Sequence, residues 1–184
     1  MSQSTPIIAA MPMQSALGDR PNGDLTPAVR AMVGVAAAGL TAICVAALLR
    51  AGVGFAPHYP GTVGLAIVLH VSAVIPAVPL GGWLLLAPKG TPGHKALGKL
   101  WVGLMLVTAL SALFIRQING GSLSWIHLFV PLTLYGAWKS IATARSGQIS
   151  AHRKQMIGFY LGALIVPGAV SFLPGRMMWL LLLG

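Results

Sequence analysis

The chain has 184 residues, 56% of them hydrophobic and only 8% charged, and its 12 Lys and Arg against 2 Asp and Glu give a formal net charge of +10. A soluble domain carries roughly 25% charged residues, so this sequence cannot build a water-facing surface and reads as an integral membrane protein. Both acids, Asp19 and Asp24, precede the first apolar run, which leaves the apolar segments without a carboxylate for a proton relay or an acid–base pair and excludes most ion-coupled transporters and hydrolases.

Residues 1–26 lack the early basic region of a signal peptide, and their short apolar stretch is broken by Pro6. They read as a cytoplasmic tail that orders only against a partner. A membrane-crossing helix needs about 20 apolar residues, and five segments qualify. The first covers about residues 27–49, opened by Thr26 as a cap and Pro27 at the first helical position. Its single cysteine, Cys44, has no disulfide partner and is expected to be a small buried hydrophobe. The others cover about 62–86, 97–115, 123–142 and 151–173. Residues 177–183, MMWLLLL, are too short to cross and are expected to lie along the surface or against a partner. The domain reading is therefore a tail (1–26), a five-helix domain (27–176) and a short apolar C-terminal segment (177–184).

The cations lie singly or in small groups at the ends of these segments, which suits topology and anionic lipid and gives no nucleic-acid surface. Arg20, Arg30, Lys89, Lys95, Lys99, Lys139, Arg145, Arg153 and Lys154 fall on one side, against Arg50, Arg116 and Arg176 on the other. That asymmetry predicts a cytoplasmic N-terminus and an external C-terminus, in a bacterial inner membrane a periplasmic one. Trp83, Trp101, Trp125 and Trp138 fall near segment ends and are expected to form an interfacial belt.

Of the five histidines, His58 is expected in an external loop, and the other four repeat a spacing. His70 to His94 is 24 residues and His127 to His152 is 25; a proline (Pro76 or Pro131) follows each first His, and a cation (Lys95 or Arg153) follows each second. Segments two–three and four–five thus read as two copies of one hairpin, forming a four-helix bundle with the first helix at its periphery. The fold class is all-α. A parallel duplication places His70 across from His127 and His94 across from His152.

Two cross-helix His pairs, one toward each face, resemble the layout of b561-type cytochromes, in which paired histidines ligate two haems. That resemblance implies haem b on His70/His127 and His94/His152, since neutral imidazoles give low-spin iron two axial ligands. Arg116, Lys95 and Arg153 would then meet propionates, and glycines including Gly81, Gly82, Gly98 and Gly136 would admit the macrocycle. Zinc or copper suits the set less well, because two histidines leave an incomplete shell. Capping, snorkelling and helix packing account for the same residues without any ligand.

The stretch from about Leu65 to Met178 also resembles the DUF2306 family of predicted bacterial membrane proteins. The matching motifs are LH at 69–70, PKGTPGHKALGKLWVGLM at 88–105, SALFIRQINGGSLSWIHL at 111–128, AHRKQMIG at 151–158 and LPGRMM at 173–178. The resemblance implies a multi-span protein with His70, His94, Arg116, Asn119, His127, His152 and Arg176 at motif positions, and it implies no activity.

Three functions follow. The first is a b-type haem electron carrier linked to the quinone pool. The second is a cofactor-free accessory subunit, held in a larger membrane complex by the tail and the C-terminal segment. The third is a quinone or lipid pocket at Arg116, Asn119, Trp125 and His127, whose donors suit a carbonyl ligand and equally suit tying down a loop. No Ser–His–Asp, Cys–His, metal-hydrolase or Walker spacing occurs, so enzymatic activity is not expected outside redox chemistry through a cofactor.

Overall fold

The structure is a computed structural model, and it describes residues 25–55, 63–116 and 120–184. Most of the tail, His58 and Asn119 lie outside the described residues. The described residues form seven α-helices in the order α1 Pro27–Gly52, α2 Leu65–Leu86, α3 Pro92–Ala112, α4 Phe129–Arg145, α5 Ile149–Tyr160, α6 Val166–Val170 and α7 Met177–Leu183. A 3-10 turn, Trp125–Leu128, leads into α4, and a π turn, Leu161–Ile165, joins α5 to α6.

The starts of α1 and α3 follow from local chemistry. Thr26 Oγ1 accepts the Val29 N–H at 3.3 Å, Thr91 Oγ1 accepts the His94 N–H at 3.1 Å, and Pro27 and Pro92 occupy first-turn positions where no N–H is needed. Gly90, at φ +82°, supplies the left-handed residue that lets the chain reverse between α2 and α3. The π turn has a local cause too: Pro167 lacks the N–H that would continue the α-helical ladder. The expected fifth segment is therefore one helical path in three registers.

Three helices, α1, α2 and α3, are long and apolar enough to cross a membrane. Their outward faces carry exposed apolar residues such as Val35, Leu65, Leu100 and Leu110, which suits a lipid environment.

α2 is the centre of the packing. It lies against α1, α3, α5 and the π turn, while α4 packs on α3 and α5. Pro76 and Pro79 interrupt its ladder, and Gly81 and Gly82 then leave a notch without side chains. Trp101 from α3 and Tyr160 from α5 enter that notch. Trp101 Nε1 donates to Ala77 O at 2.9 Å, and Tyr160 Oη donates to Val78 O at 2.9 Å. Both side chains are fully buried, and Phe159 meets the Trp101 ring edge-on at 5.1 Å.

Two expectations change. Trp101 is a core residue, not part of an interfacial belt; Trp83, Trp125 and Trp138 are exposed. The first helix is not merely peripheral, because Val33, Ala37, Leu40 and Cys44 join the core cluster. The apolar C-terminal segment forms α7 and packs on α1 with Leu181 buried. Hydrogen bonding does not repeat between the two hairpins: His70 bonds α3 across its hairpin, whereas His127 bonds its own 3-10 turn.

A methyl group added at Gly81 would lie 2.6 Å from Trp101 Nε1 and 2.7 Å from the Tyr160 ring. Gly81→Val is therefore expected to cost about 1–3 kcal/mol through overpacking and to lower the thermal midpoint in detergent. Gly103→Ala, in a helix with open space around it, should leave the midpoint unchanged or raise it.

Candidate functional site

The histidine ring of α2 is held by α3. His70 Nδ1 lies 2.9 Å from Thr108 O and 3.3 Å from Ser111 Oγ, whose own hydrogen goes to Val107 O at 2.6 Å. His127, in the 3-10 turn before α4, is held within its own turn. Its Nδ1 lies 3.0 Å from both the N and the O of Ser124. Its ring is 9% exposed, and Nε2 is buried with no hydrogen-bond partner among the described residues. A buried, unpartnered ring nitrogen is uncommon and calls for an explanation.

Both rings line one cavity of about 210 Å³ between α2, α3, the start of α4 and α6. Its walls are mainly apolar, with Val74, Ala109, Val130 and Leu164 among them. Leu40 and Cys44 close it from α1, and Ser124, Ser171 and Arg176 add polar groups. The Arg176 guanidinium lies 5.6 Å from the centre of the Trp125 ring, a cation–π distance.

The second pair lies at the opposite end of the bundle. His94 Nδ1 is buried without a partner among the described residues, and His152 Nδ1 lies 3.0 Å from Ser140 O. The structure thus brings His70 and His127 to the lining of one cavity. Of the polar cluster expected nearby, Trp125 and His127 stand in the 3-10 turn, Asn119 lies outside the described residues, and the fourth member is Arg116. That side chain is exposed and donates from Nε to Leu113 O at 2.9 Å, tying down its own turn.

The haem expectation is tested by chemistry and by space. Chemically the outer pair suits iron, since each ring is anchored through Nδ1 and leaves Nε2 unused. Space decides otherwise. A cavity of about 150 Å³ takes one benzene ring, and a tetrapyrrole would extend well beyond the 210 Å³ present here. Three glycines expected to admit the macrocycle are already filled, Gly81 and Gly82 by Trp101 and Tyr160, Gly136 by Phe159. These three positions therefore offer a macrocycle no room. Among the described residues no group of three or more His, Cys, Asp or Glu is placed to hold a metal ion.

The fold and cavity define a multi-pass α-helical membrane protein with a buried, imidazole-lined chamber. The chain belongs to the DUF2306 family, described as predicted membrane proteins, whose profile matches residues 67–178. No curated protein and no solved structure matches the chain. The match takes in His70, Thr108, Ser124, His127 and Arg176.

Sequence reasoning alone did not single out Thr108, Ser111 or Ser124. The signal for Ser124 was present: it stands three residues before His127, a capping-box spacing. The expected spectroscopic outcome is plain. Protein purified from cells supplied with a haem precursor should show no Soret band; a stoichiometric bis-imidazole spectrum would mean that the aromatic core opens to admit haem.

Proposed function

We propose that this chain is a five-span membrane protein that holds a lipid-soluble, single-ring molecule bearing ring oxygens, of the quinone class, in the cavity shared by His70 and His127. The observation that carries this reading is His127 Nε2, buried and unpartnered, on a ring lining a mainly apolar chamber of about 210 Å³. That volume suits one substituted ring, given that about 150 Å³ takes benzene. An apolar chamber with a few placed polar groups is the usual form of a small-molecule site. A long apolar substituent would leave between the helices into lipid.

The five-span count draws on continuity. Residues 125–145 and 149–170 are each helical throughout, and at about 1.5 Å per residue each is close to the 30 Å of the hydrocarbon core. In a bacterial inner membrane, the cation asymmetry places the N-terminus in the cytoplasm and the histidine cavity in the periplasmic half. A C-terminal alkaline phosphatase fusion should then be active and a C-terminal fluorescent fusion dark; the reverse pattern would overturn this orientation.

The accessory-subunit reading drew partly on the apolar C-terminal segment. That segment packs on α1, and Arg50 Nη2 donates to Gly184 O at 3.3 Å, so its apolar face is used internally.

Cys44 gives a direct test of occupancy, because it is the single cysteine and lines the cavity. A decyl-substituted para-benzoquinone added to the full chain in detergent should slow labelling of Cys44 by a small uncharged thiol reagent, in a saturable way. His127→Leu should weaken that protection roughly tenfold, the value of about one buried hydrogen bond. Unchanged labelling at saturating quinone would sink the reading.

A further inference from the structure

The two imidazoles facing the cavity differ in what they present to it, and the difference is set by their Nδ1 partners. His70 Nδ1 faces Thr108 O at 2.9 Å and Ser111 Oγ at 3.3 Å. A carbonyl oxygen only accepts, so the neutral ring keeps its proton on Nδ1 and turns the bare lone pair of Nε2 to the cavity. No hydrogen bond to that Nε2 forms among the described residues. His127 is different. Its Nδ1 lies 3.0 Å from the Ser124 N–H donor and 3.0 Å from the Ser124 carbonyl oxygen. The Ser124 N–H points at Nδ1, so the neutral ring keeps Nδ1 bare as the acceptor and carries its proton on Nε2, a buried atom with no partner among the described residues.

The site therefore combines a fixed acceptor, His70, with a fixed donor, His127. We infer that the cavity selects the reduced, hydroxyl-bearing form of its ring ligand, a hydroquinone over the corresponding quinone, with His70 as the specificity-determining residue. A hydroquinone donates one O–H to His70 Nε2, and its second oxygen accepts from His127 Nε2–H. A quinone carries only acceptor oxygens. It pairs with His127 Nε2–H but sets a carbonyl lone pair against that of His70, leaving both unsatisfied. A pocket that discriminates by a hydrogen-bond donor separates ligands more strongly than one that discriminates by shape. This inference rests on the proposed quinone-class site and adds the redox state that the site holds.

The test uses the full chain in detergent at pH about 8, where imidazole is neutral. Anaerobic titrations compare decyl para-hydroquinone, the matching quinone and the dimethyl ether of the hydroquinone. The hydroquinone should bind at least roughly tenfold more tightly than either of the others, the effect of one satisfied against one opposed hydrogen bond. His70→Gln, whose amide offers both a donor and an acceptor, should bring the hydroquinone-to-quinone ratio close to one. His127→Gln, which also offers both, should preserve the wild-type preference. A role of His70 confined to bracing α2 against α3 would weaken all ligands together and leave the ratio unchanged. Measurable binding of both redox forms with equal affinity, or a preference for the quinone, would overturn the inference while leaving the quinone-class site standing. No binding of any of the three compounds would overturn both.

Discussion

The notch in α2 is the constraint on which the rest of the molecule depends. Pro76 and Pro79 remove two ladder hydrogen bonds, and Gly81 with Gly82 remove the side chains that would otherwise keep neighbours away. Into that gap Trp101 and Tyr160 bring an N–H and an O–H that end on the carbonyls of residues 77 and 78. In an apolar environment each bond satisfies a polar group that has no water to turn to. The pair fixes α3 and α5 against α2 at one level of the bundle.

Everything beyond that level follows from the closure. Below the notch lie His94 at the start of α3 and His152 at the start of α5. Above it, α2 and α3 run on with the His70–Thr108 contact between them, and the Ser124–His127 turn and α6 complete a chamber. The π turn matters here, since it shifts the register of the last span before Pro167 and Gly168 reach the cavity wall. Gly168 also lets Leu40 approach, for a methyl there would lie 2.7 Å from Leu40 Cδ2. The aromatic core thus fills the bundle around the α2 notch.

Much of the architecture was legible in the sequence. Long apolar runs and the Thr-Pro start at 26–27 give the beginning of α1 to the residue, because capping chemistry is local; the same Thr-Pro chemistry at 91–92 opens α3 ahead of the expected segment at 97. The His spacing anticipates that His70 and His127 come to one cavity. The aromatic core was not legible. Trp101 and Tyr160 lie on different helices, and nothing in their own neighbourhoods shows that the vacancy they fill is on a third. Trp101 therefore read as an interfacial residue. Arg116 donates back to the Leu113 carbonyl, and Arg176, from the far end of the chain, lines the cavity.

The central claim is that the chamber shared by His70 and His127 holds one oxygenated ring and not a tetrapyrrole. Native mass spectrometry of the full chain, released from mild detergent after purification from a quinone-replete membrane, tests it most directly. The account predicts a single adduct with the mass of an isoprenoid benzoquinol or naphthoquinol, lost on substitution of His127. An adduct of haem mass, or no adduct even when excess quinol is supplied, would contradict it.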